Sequence, residues 1–171
     1  DRNHLSYILA TYAHESASGQ HMQEIYTGFV GGRRLSYPAE FRGRGFVQLT
    51  HEGNYRRMSI AIARAGFDST GDIYIPYFGI STQRALSDGE VWSRIRGTGS
   101  DLTVYPERVA EERQLAASIM VLGMERGMFR RSTLNGPLSL TTFDSHDARG
   151  RVNGFNFAGA RGIINAPNDA P

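Results

Sequence analysis

The sequence lacks cysteine and lysine, and it contains no long hydrophobic run. Without cysteine the chain can form neither a disulfide nor a thiolate metal site, and redox chemistry says nothing about its compartment. Without an apolar stretch of about 20 residues, no stable insertion into a membrane is expected. All 19 basic residues are therefore arginines, and the formal net charge is only +2. These arginines are scattered, which disfavours nucleic acid as a partner and is compatible with an anionic polymer.

The length and composition predict one globular domain over residues 1–171. Hydrophobic residues make up 40% of the chain and charged residues 21%, which is typical of a soluble domain with a single core. Residues 66–100 are atypical, because glycines interrupt them and aromatic side chains such as Tyr77 and Trp92 are concentrated there. We interpret these rings as a small satellite core, with stacking on sugar rings as the alternative.

Hydrophobic periodicity predicts a mainly α fold with a small β element. Helices are expected at residues 3–17, 54–65, 81–95, 106–126 and 157–164. Glycines and a proline indicate an irregular loop over residues 20–40. Residues 46–50 alternate, which predicts a short strand with Val47 and Leu49 in the core and with Gln48 and Thr50 together on a cleft-facing side. An amide and a hydroxyl side by side can order a water molecule or bind a sugar hydroxyl.

Glu15 lies at the edge of the predicted buried face of the first helix, because it extends the apolar stripe of Ile8 and Tyr12. Partial burial disfavours the charged form of a carboxyl group, and a general acid must hold its proton near neutral pH. The alternative is a peripheral glutamate paired with an arginine. Glu24 and Glu40 are further carboxylates in the loop that follows, where a glutamate is usually solvated.

A second acidic cluster lies near the end of the chain and could suggest a metal site. It consists of Asp144, His146 and Asp147. These residues lack the regular spacing of ligands on one helix and occur in a polar, glycine-rich stretch. We therefore interpret the cluster as a turn.

Several sequence blocks occur in a characteristic order: HES at 14–16, MQE at 22–24, RGRGFVQLT at 42–50, NY at 54–55, a helix from Pro106 to LGMERGMF at 122–129, and FAGARGIIN at 157–165. Together they resemble the glycoside hydrolase family 19 chitinases, and more closely the cysteine-free bacterial and phage relatives of these enzymes that degrade peptidoglycan. The resemblance covers residues 4–65 and 101–168. Relative to the family, the aromatic segment at about residues 66–100 is an insertion, and the resemblance implies no role for it. It implies a lysozyme-like α+β fold, a helical bundle in which the small β element lines a substrate cleft.

The resemblance also implies roles for individual residues. Glu15 corresponds to the general acid, although Ser16 replaces the threonine that usually follows it. Glu24 corresponds to the general base, and Thr50 to the hydroxyl residue that helps to hold the attacking water. Because the loop after Glu24 is shorter than in the family, Glu40 remains a rival base. The expected substrate-binding residues are Gln48, Asn54, Tyr55 and Asn165.

The expected activity is hydrolysis of β-1,4 bonds of peptidoglycan with inversion, which requires about 6.5–9.5 Å between the two carboxyl groups. Chitin oligomers are the alternative substrate, and a sugar-binding module without catalysis is the alternative from another class. Two carboxylates supply both proton transfers, so neither a metal nor another cofactor is expected. We expect a monomer that is secreted or released to the cell wall or periplasm, although no signal peptide is visible in the chain.

Overall fold

The computed structural model describes residues 2–65, 86–129, 131–132 and 136–164. Helices predominate in these ranges, as expected for a mainly α or α+β class. They are α1 (Arg2–Glu15), α2 (Glu52–Ala65), α3 (Asp88–Ile95), α4 (Arg108–Glu111), α5 (Arg113–Glu125) and α6 (Phe157–Ala160). Short 3₁₀ segments occur at Ala39–Phe41, Leu140–Phe143 and Arg161–Ile163. None of the described helices is both long enough and apolar enough to cross a membrane.

The described residues contain three antiparallel pairs of short strands. The pairs are β1 (Phe29–Val30) with β2 (Arg33–Arg34), β3 (Arg131–Ser132) with β4 (Gly136–Pro137), and β5 (Asp144–His146) with β6 (Val152–Phe155). The first pair is a hairpin inside the loop predicted over residues 20–40. The small β content agrees with the expected class, while most of the aromatic segment, residues 66–85, lies outside the described residues.

The hydrophobic core forms around α5. Ala116 and Ile119 are completely buried and Met120 nearly so, as the predicted apolar stripe required. Helices α1 and α2 both pack against α5 and add their own buried side chains to the same cluster. By these contacts α5 joins the N-terminal and C-terminal parts of the chain into one core. Full burial of one large apolar side chain contributes about 1.5–3 kcal/mol to its stability.

The helix predicted over residues 106–126 is divided at Glu112. This residue is extended, with φ −100° and ψ 98°, so α4 and α5 are separate helices. An ion pair bridges the break, since Arg108 donates from Nε and Nη2 to the Glu112 carboxylate at 2.5 and 2.9 Å. Arg108 also donates to the carbonyl of Gly99. These contacts bind α4 to the preceding loop, and Val109 on α4 is completely buried.

Residues 46–50 form a tight turn and not the predicted strand. Arg44 and Leu49 exchange two backbone hydrogen bonds at 3.2 and 2.8 Å, and the chain reverses between them. The reversal uses left-handed backbone at Gly45 (φ +74°) and Gln48 (φ +49°). Phe46 is 7% exposed and packs on the ring of Tyr12 at 4.6 Å, so it lies in the core and not on a cleft face.

The acidic cluster near the end of the chain is only partly a turn. Asp144 and His146 lie in β5, and Asp147 opens the turn that leads into β6. The carboxylate of Asp147 accepts hydrogen bonds from the backbone N–H groups of Arg149 and Arg151, which is typical of an aspartate that shapes a turn. In the described part of the chain, no cluster of three or more His, Cys, Asp or Glu side chains could hold a metal ion.

Candidate active site

Glu15 is the last residue of α1, and the chain reverses immediately after it. The Ser16 hydroxyl donates to the Tyr12 carbonyl at 2.6 Å and accepts from the Gly19 N–H at 2.9 Å. Ala17, Ser18 and Gly19 all have positive φ angles, and Gly19 passes so close to Tyr12 that a Cβ would lie 2.9 Å from its hydroxyl. The Ser16 hydroxyl therefore closes this turn.

The Glu15 side chain is mostly covered, with 19% of its surface exposed. Its Oε1 lies 3.2 Å from Nδ1 of the exposed His14. Burial raises the pKa of the Tyr7 phenol, and the negative charge of Glu15 contributes to the rise. Tyr7 is itself buried and donates to the Ala160 carbonyl at 2.7 Å. Glu15 thus lies at the border of the core, where its position in the apolar stripe predicted it.

Glu24 is brought to the Gly43 segment by backbone pairing. The Glu24 N–H donates to the Gly43 carbonyl and the Gly45 N–H to the Met22 carbonyl, both at 2.8 Å. Gln23 and Arg44 form a bridge between these two hydrogen bonds. The loop that carries Glu24 is therefore not a free solvated segment at this residue but one side of a short paired ladder.

Two hydrogen-bond donors reach the Glu24 carboxylate. The Tyr37 hydroxyl lies 3.0 Å from both Oε1 and Oε2, and the Gly43 N–H donates to Oε2 at 2.8 Å. Burial raises the pKa of Tyr37 to about 12, and its hydrogen bond to Glu24 and the charge of Glu24 add to the rise. The phenol therefore stays protonated near neutral pH and remains a donor to the carboxylate.

Gln48 lies against the same glycine. Its amide donates from Nε2 to the carbonyls of His21 and Gly45 at 2.9 and 3.1 Å. A Cβ at Gly43 would lie 2.7 Å from Oε1 of Gln48 and 3.3 Å from the Cβ of Glu24. The structure therefore brings Glu24 and Gln48 together on the two sides of Gly43.

Thr50 and Asn54 lie where the turn leads into α2. Thr50 is half-buried, and its carbonyl accepts from Nδ2 of Asn54 at 2.8 Å. The Oδ1 of Asn54 accepts from the Arg57 guanidinium. In the described residues, the amide of Asn54 is thus occupied by its own helix, and the Thr50 hydroxyl makes no hydrogen bond. The expected pairing of Gln48 and Thr50 on one strand face is wrong, because there is no strand.

Tyr55 does not contact a cleft. Its side chain has no exposed surface, so the structure contradicts the expectation that Tyr55 contacts substrate directly. Its hydroxyl donates to the Arg42 carbonyl at 2.9 Å and accepts from Nη1 of Arg44 at 3.1 Å. Burial raises the pKa of Tyr55, while the two arginines act in the opposite direction.

Of the two remaining residues of the expected site, the structure describes Glu40 but not Asn165. Glu40, the rival base, is exposed on the 3₁₀ segment Ala39–Phe41, and its carbonyl accepts from Nη1 of Arg44 at 2.6 Å. Asn165 lies outside the described residues. The sequence reasoning also missed Tyr37 and Arg44, because their contacts depend on chain reversals that no local pattern reveals.

The structure gives the two glutamates different surroundings. Glu15 is mostly covered at the end of a helix, and Glu24 is a carboxylate held by hydrogen-bond donors. Comparison of the chain with protein-family models, with curated proteins and with solved structures finds no match. Any inference about the chemistry of this site therefore depends on the geometry of its own residues.

Proposed function

We propose that the protein is a glycoside hydrolase that cleaves β-1,4 bonds of peptidoglycan with inversion. The observation that carries this proposal is the contrast between Glu15 and Glu24. A glycosidase needs one carboxyl group that keeps its proton and one that stays ionised. Glu15 is mostly covered at the end of α1, whereas the Glu24 carboxylate accepts hydrogen bonds from the Tyr37 hydroxyl and the Gly43 N–H.

In the proposed mechanism, Glu15 donates its proton to the oxygen of the leaving sugar. A water molecule attacks the anomeric carbon from the opposite face and loses a proton to Glu24, while the Thr50 hydroxyl orients that water. The glycosidic bond breaks with inversion, and the two glutamates exchange their protonation states. Room for the water requires about 6.5–9.5 Å between the carboxyl groups.

Glu24 is favoured over Glu40 as the base because its carboxylate is fixed. A base that must take a proton from one water needs a defined position, and the two donors around Glu24, the Tyr37 hydroxyl and the Gly43 N–H, supply it. Glu40 is exposed on a 3₁₀ segment. A lysozyme-like arrangement, a monomeric state and release to the cell wall or periplasm belong to the same proposal.

The test is digestion of purified peptidoglycan and of chitin oligomers by the wild type and by Glu15→Gln. Gln keeps the shape of the side chain but has no acidic proton to transfer to the leaving oxygen. We therefore expect activity to fall by about 100-fold or more while wall fragments still bind. Glu52→Gln is the matched control, because Glu52 is exposed at the start of α2. Mass spectrometry of the new reducing ends identifies the bond and separates peptidoglycan from chitin.

The proposal fails if Glu15→Gln digests either polymer as fast as the wild type. Binding of wall fragments by a wild type that releases no reducing ends would indicate a sugar-binding module. Equal activity of Glu24→Gln and the wild type, together with an inactive Glu40→Gln, would transfer the role of base to Glu40.

A further inference from the structure

The hairpin β1–β2 brings Tyr37 to Glu24. The Leu35 N–H donates to the Gly28 carbonyl at 2.9 Å and closes the hairpin. At its base, the Tyr26 hydroxyl donates to the Tyr37 carbonyl at 2.9 Å. The two phenol rings lie with their centroids 6.1 Å apart. The backbone of Tyr37 is therefore fixed by contacts that do not involve its own hydroxyl, and that hydroxyl is left to bind the carboxylate.

The hydrogen bonds at Glu24 are unequal between its two oxygens. Oε2 accepts from the Gly43 N–H at 2.8 Å and shares the Tyr37 hydroxyl, whereas Oε1 receives only the shared hydroxyl. A carboxylate has about four acceptor positions. Among the described contacts, Oε1 therefore retains the greater capacity to accept a further hydrogen bond.

We propose that Tyr37 is a positioning residue for Glu24. The Tyr37 hydroxyl holds the Glu24 carboxylate so that Oε1 is presented to the attacking water. The inference rests on the proposed function, because it assigns Tyr37 a part in the work of the base. It is distinct from a role in folding alone, since the ring of Tyr37 already packs on His51 at 4.9 Å and on Tyr26 without its hydroxyl.

Other titratable and charged groups also act on this pair. The rings of His51 and Tyr26 both lie close to the Tyr37 ring, with centroids 4.9 and 6.1 Å from it. Arg42 and Arg44 act on the neighbouring Tyr55, which also feels the charge of Glu24. Because a histidine can change its charge near neutral pH, any pH experiment on Tyr37 must include a variant of His51.

The experiment compares Tyr37→Phe with two control variants, Tyr26→Phe and His51→Gln, in the full chain. Tyr26→Phe is matched, because it removes the phenol hydroxyl that supports the Tyr37 carbonyl but keeps the Tyr37 hydroxyl that bonds the Glu24 carboxylate. For Tyr37→Phe we expect kcat to fall about tenfold with KM within about twofold, because the loss appears mainly in the transition state. Circular dichroism and thermal unfolding establish that each variant is folded.

The pH dependence gives a readout that a purely structural role would not change. The acid limb of the rate profile should move to higher pH in Tyr37→Phe, because a carboxylate that has lost a donor takes up a proton more readily. The ¹³Cδ resonance of Glu24 should titrate at correspondingly higher pH, independently of activity. Neither change is expected in Tyr26→Phe, and a shift of the same size in His51→Gln would overturn the assignment to Tyr37.

The possible failures can be distinguished. If Glu24→Gln is inactive while Tyr37→Phe matches Tyr26→Phe in kcat and in both titrations, the inference about Tyr37 is wrong and the proposed function stands. If Glu24→Gln keeps full activity, or if the wild type cleaves neither polymer, the base assignment fails and the inference fails with it. Equal losses of stability in both tyrosine variants, without any shift in pH profile, would also overturn the inference.

Discussion

Gly43 and Gly45 provide a matched pair of substitutions that separates the fold from the site. The two glycines are two residues apart in the segment that pairs with residues 22–24. Gly45 requires left-handed backbone, with φ +74°, and Gly43 does not. Replacing each by alanine adds one methyl group to the same segment, so a difference in outcome must come from the local geometry.

At Gly45 the added methyl group meets a rigid environment. It would lie 2.9 Å from Cγ1 and 3.2 Å from the backbone carbonyl of the buried Val109, and 3.4 Å from the Cβ of Ala116. Left-handed backbone costs alanine about 1–2 kcal/mol, and overpacking of a core adds about 1–3 kcal/mol. The lower entropy of the unfolded alanine chain offsets about 0.4–1 kcal/mol. These contributions together span about 1–5 kcal/mol, and we expect a net loss near the middle of that range, about 3 kcal/mol.

At Gly43 the added methyl group meets a movable group. Its nearest neighbour is Oε1 of Gln48 at 2.7 Å, the far end of a flexible side chain, and the next contacts are Cβ of Gln48 and Cβ of Glu24, both at 3.3 Å. Gln48 can swing away at the expense of its bonds to two carbonyls, about 1 kcal/mol in total. The added methyl group also displaces Glu24 by a few tenths of an ångström. We therefore expect a large loss of activity together with only a small loss of stability.

Unfolding by urea and by heat, followed by circular dichroism, measures the first effect. For a chain of this size, the loss in Gly45→Ala corresponds to a decrease in Tm of about 5–15 °C, whereas Gly43→Ala should lose less than about 4 °C. Hydrolysis assays at a temperature where both variants are folded measure the second effect. The reasoning is refuted if the two variants lose equal stability, or if Gly45→Ala unfolds at the same urea concentration and the same temperature as the wild type.

Two further predictions concern contacts outside the site. Burial alone would raise the pKa of Asp101, but hydrogen bonds from Thr103 and from backbone N–H groups lower it below its usual range. The resulting stability is present above about pH 4 and is lost as the pH falls through the folded-state value. Asp101→Asn should therefore lower the free energy of unfolding by about 2 kcal/mol at pH 7, as measured by urea unfolding. If the variant and the wild type differed by the same amount at about pH 2, this explanation would be contradicted. His4 bonds the buried Asp144 at 2.8 Å, so His4→Ala should cost about 2 kcal/mol in the same assay, whereas His14→Ala at an exposed position should cost little.

The helices could be predicted from the sequence because their buried faces follow a local period. The stripe through Ala116, Ile119 and Met120 lies in the core as predicted, and the same periodicity placed Glu15 at the border of the core. The break at Glu112 could not be predicted, because it depends on one backbone angle and leaves the spacing of apolar residues unchanged. Periodicity reports which side of a helix is buried, but not whether the helix is continuous.

The turn at residues 45–48 shows why the site was harder to predict than the helices. Alternation of apolar and polar residues fits a half-buried strand, but here Phe46, Val47 and Leu49 are all buried although the chain reverses. Only the left-handed angles at Gly45 and Gln48 distinguish the two outcomes. The contact of Tyr37 with Glu24 depends in turn on the closure of a separate hairpin, which leaves no periodic signal.

The buried Arg44 and Tyr55 explain how the Gly43 N–H comes to face Glu24. In a trans peptide the carbonyl and the N–H point in opposite directions. The Arg42 carbonyl is held on the inner side by the Tyr55 hydroxyl at 2.9 Å, so the N–H of the same peptide points the other way, to Oε2 of Glu24 at 2.8 Å. Arg44 in turn fixes Tyr55, although its own Nε is buried without a partner in the described residues. An unsatisfied buried donor costs about 1–3 kcal/mol, and here the guanidinium that carries it orients the peptide that holds the carboxylate.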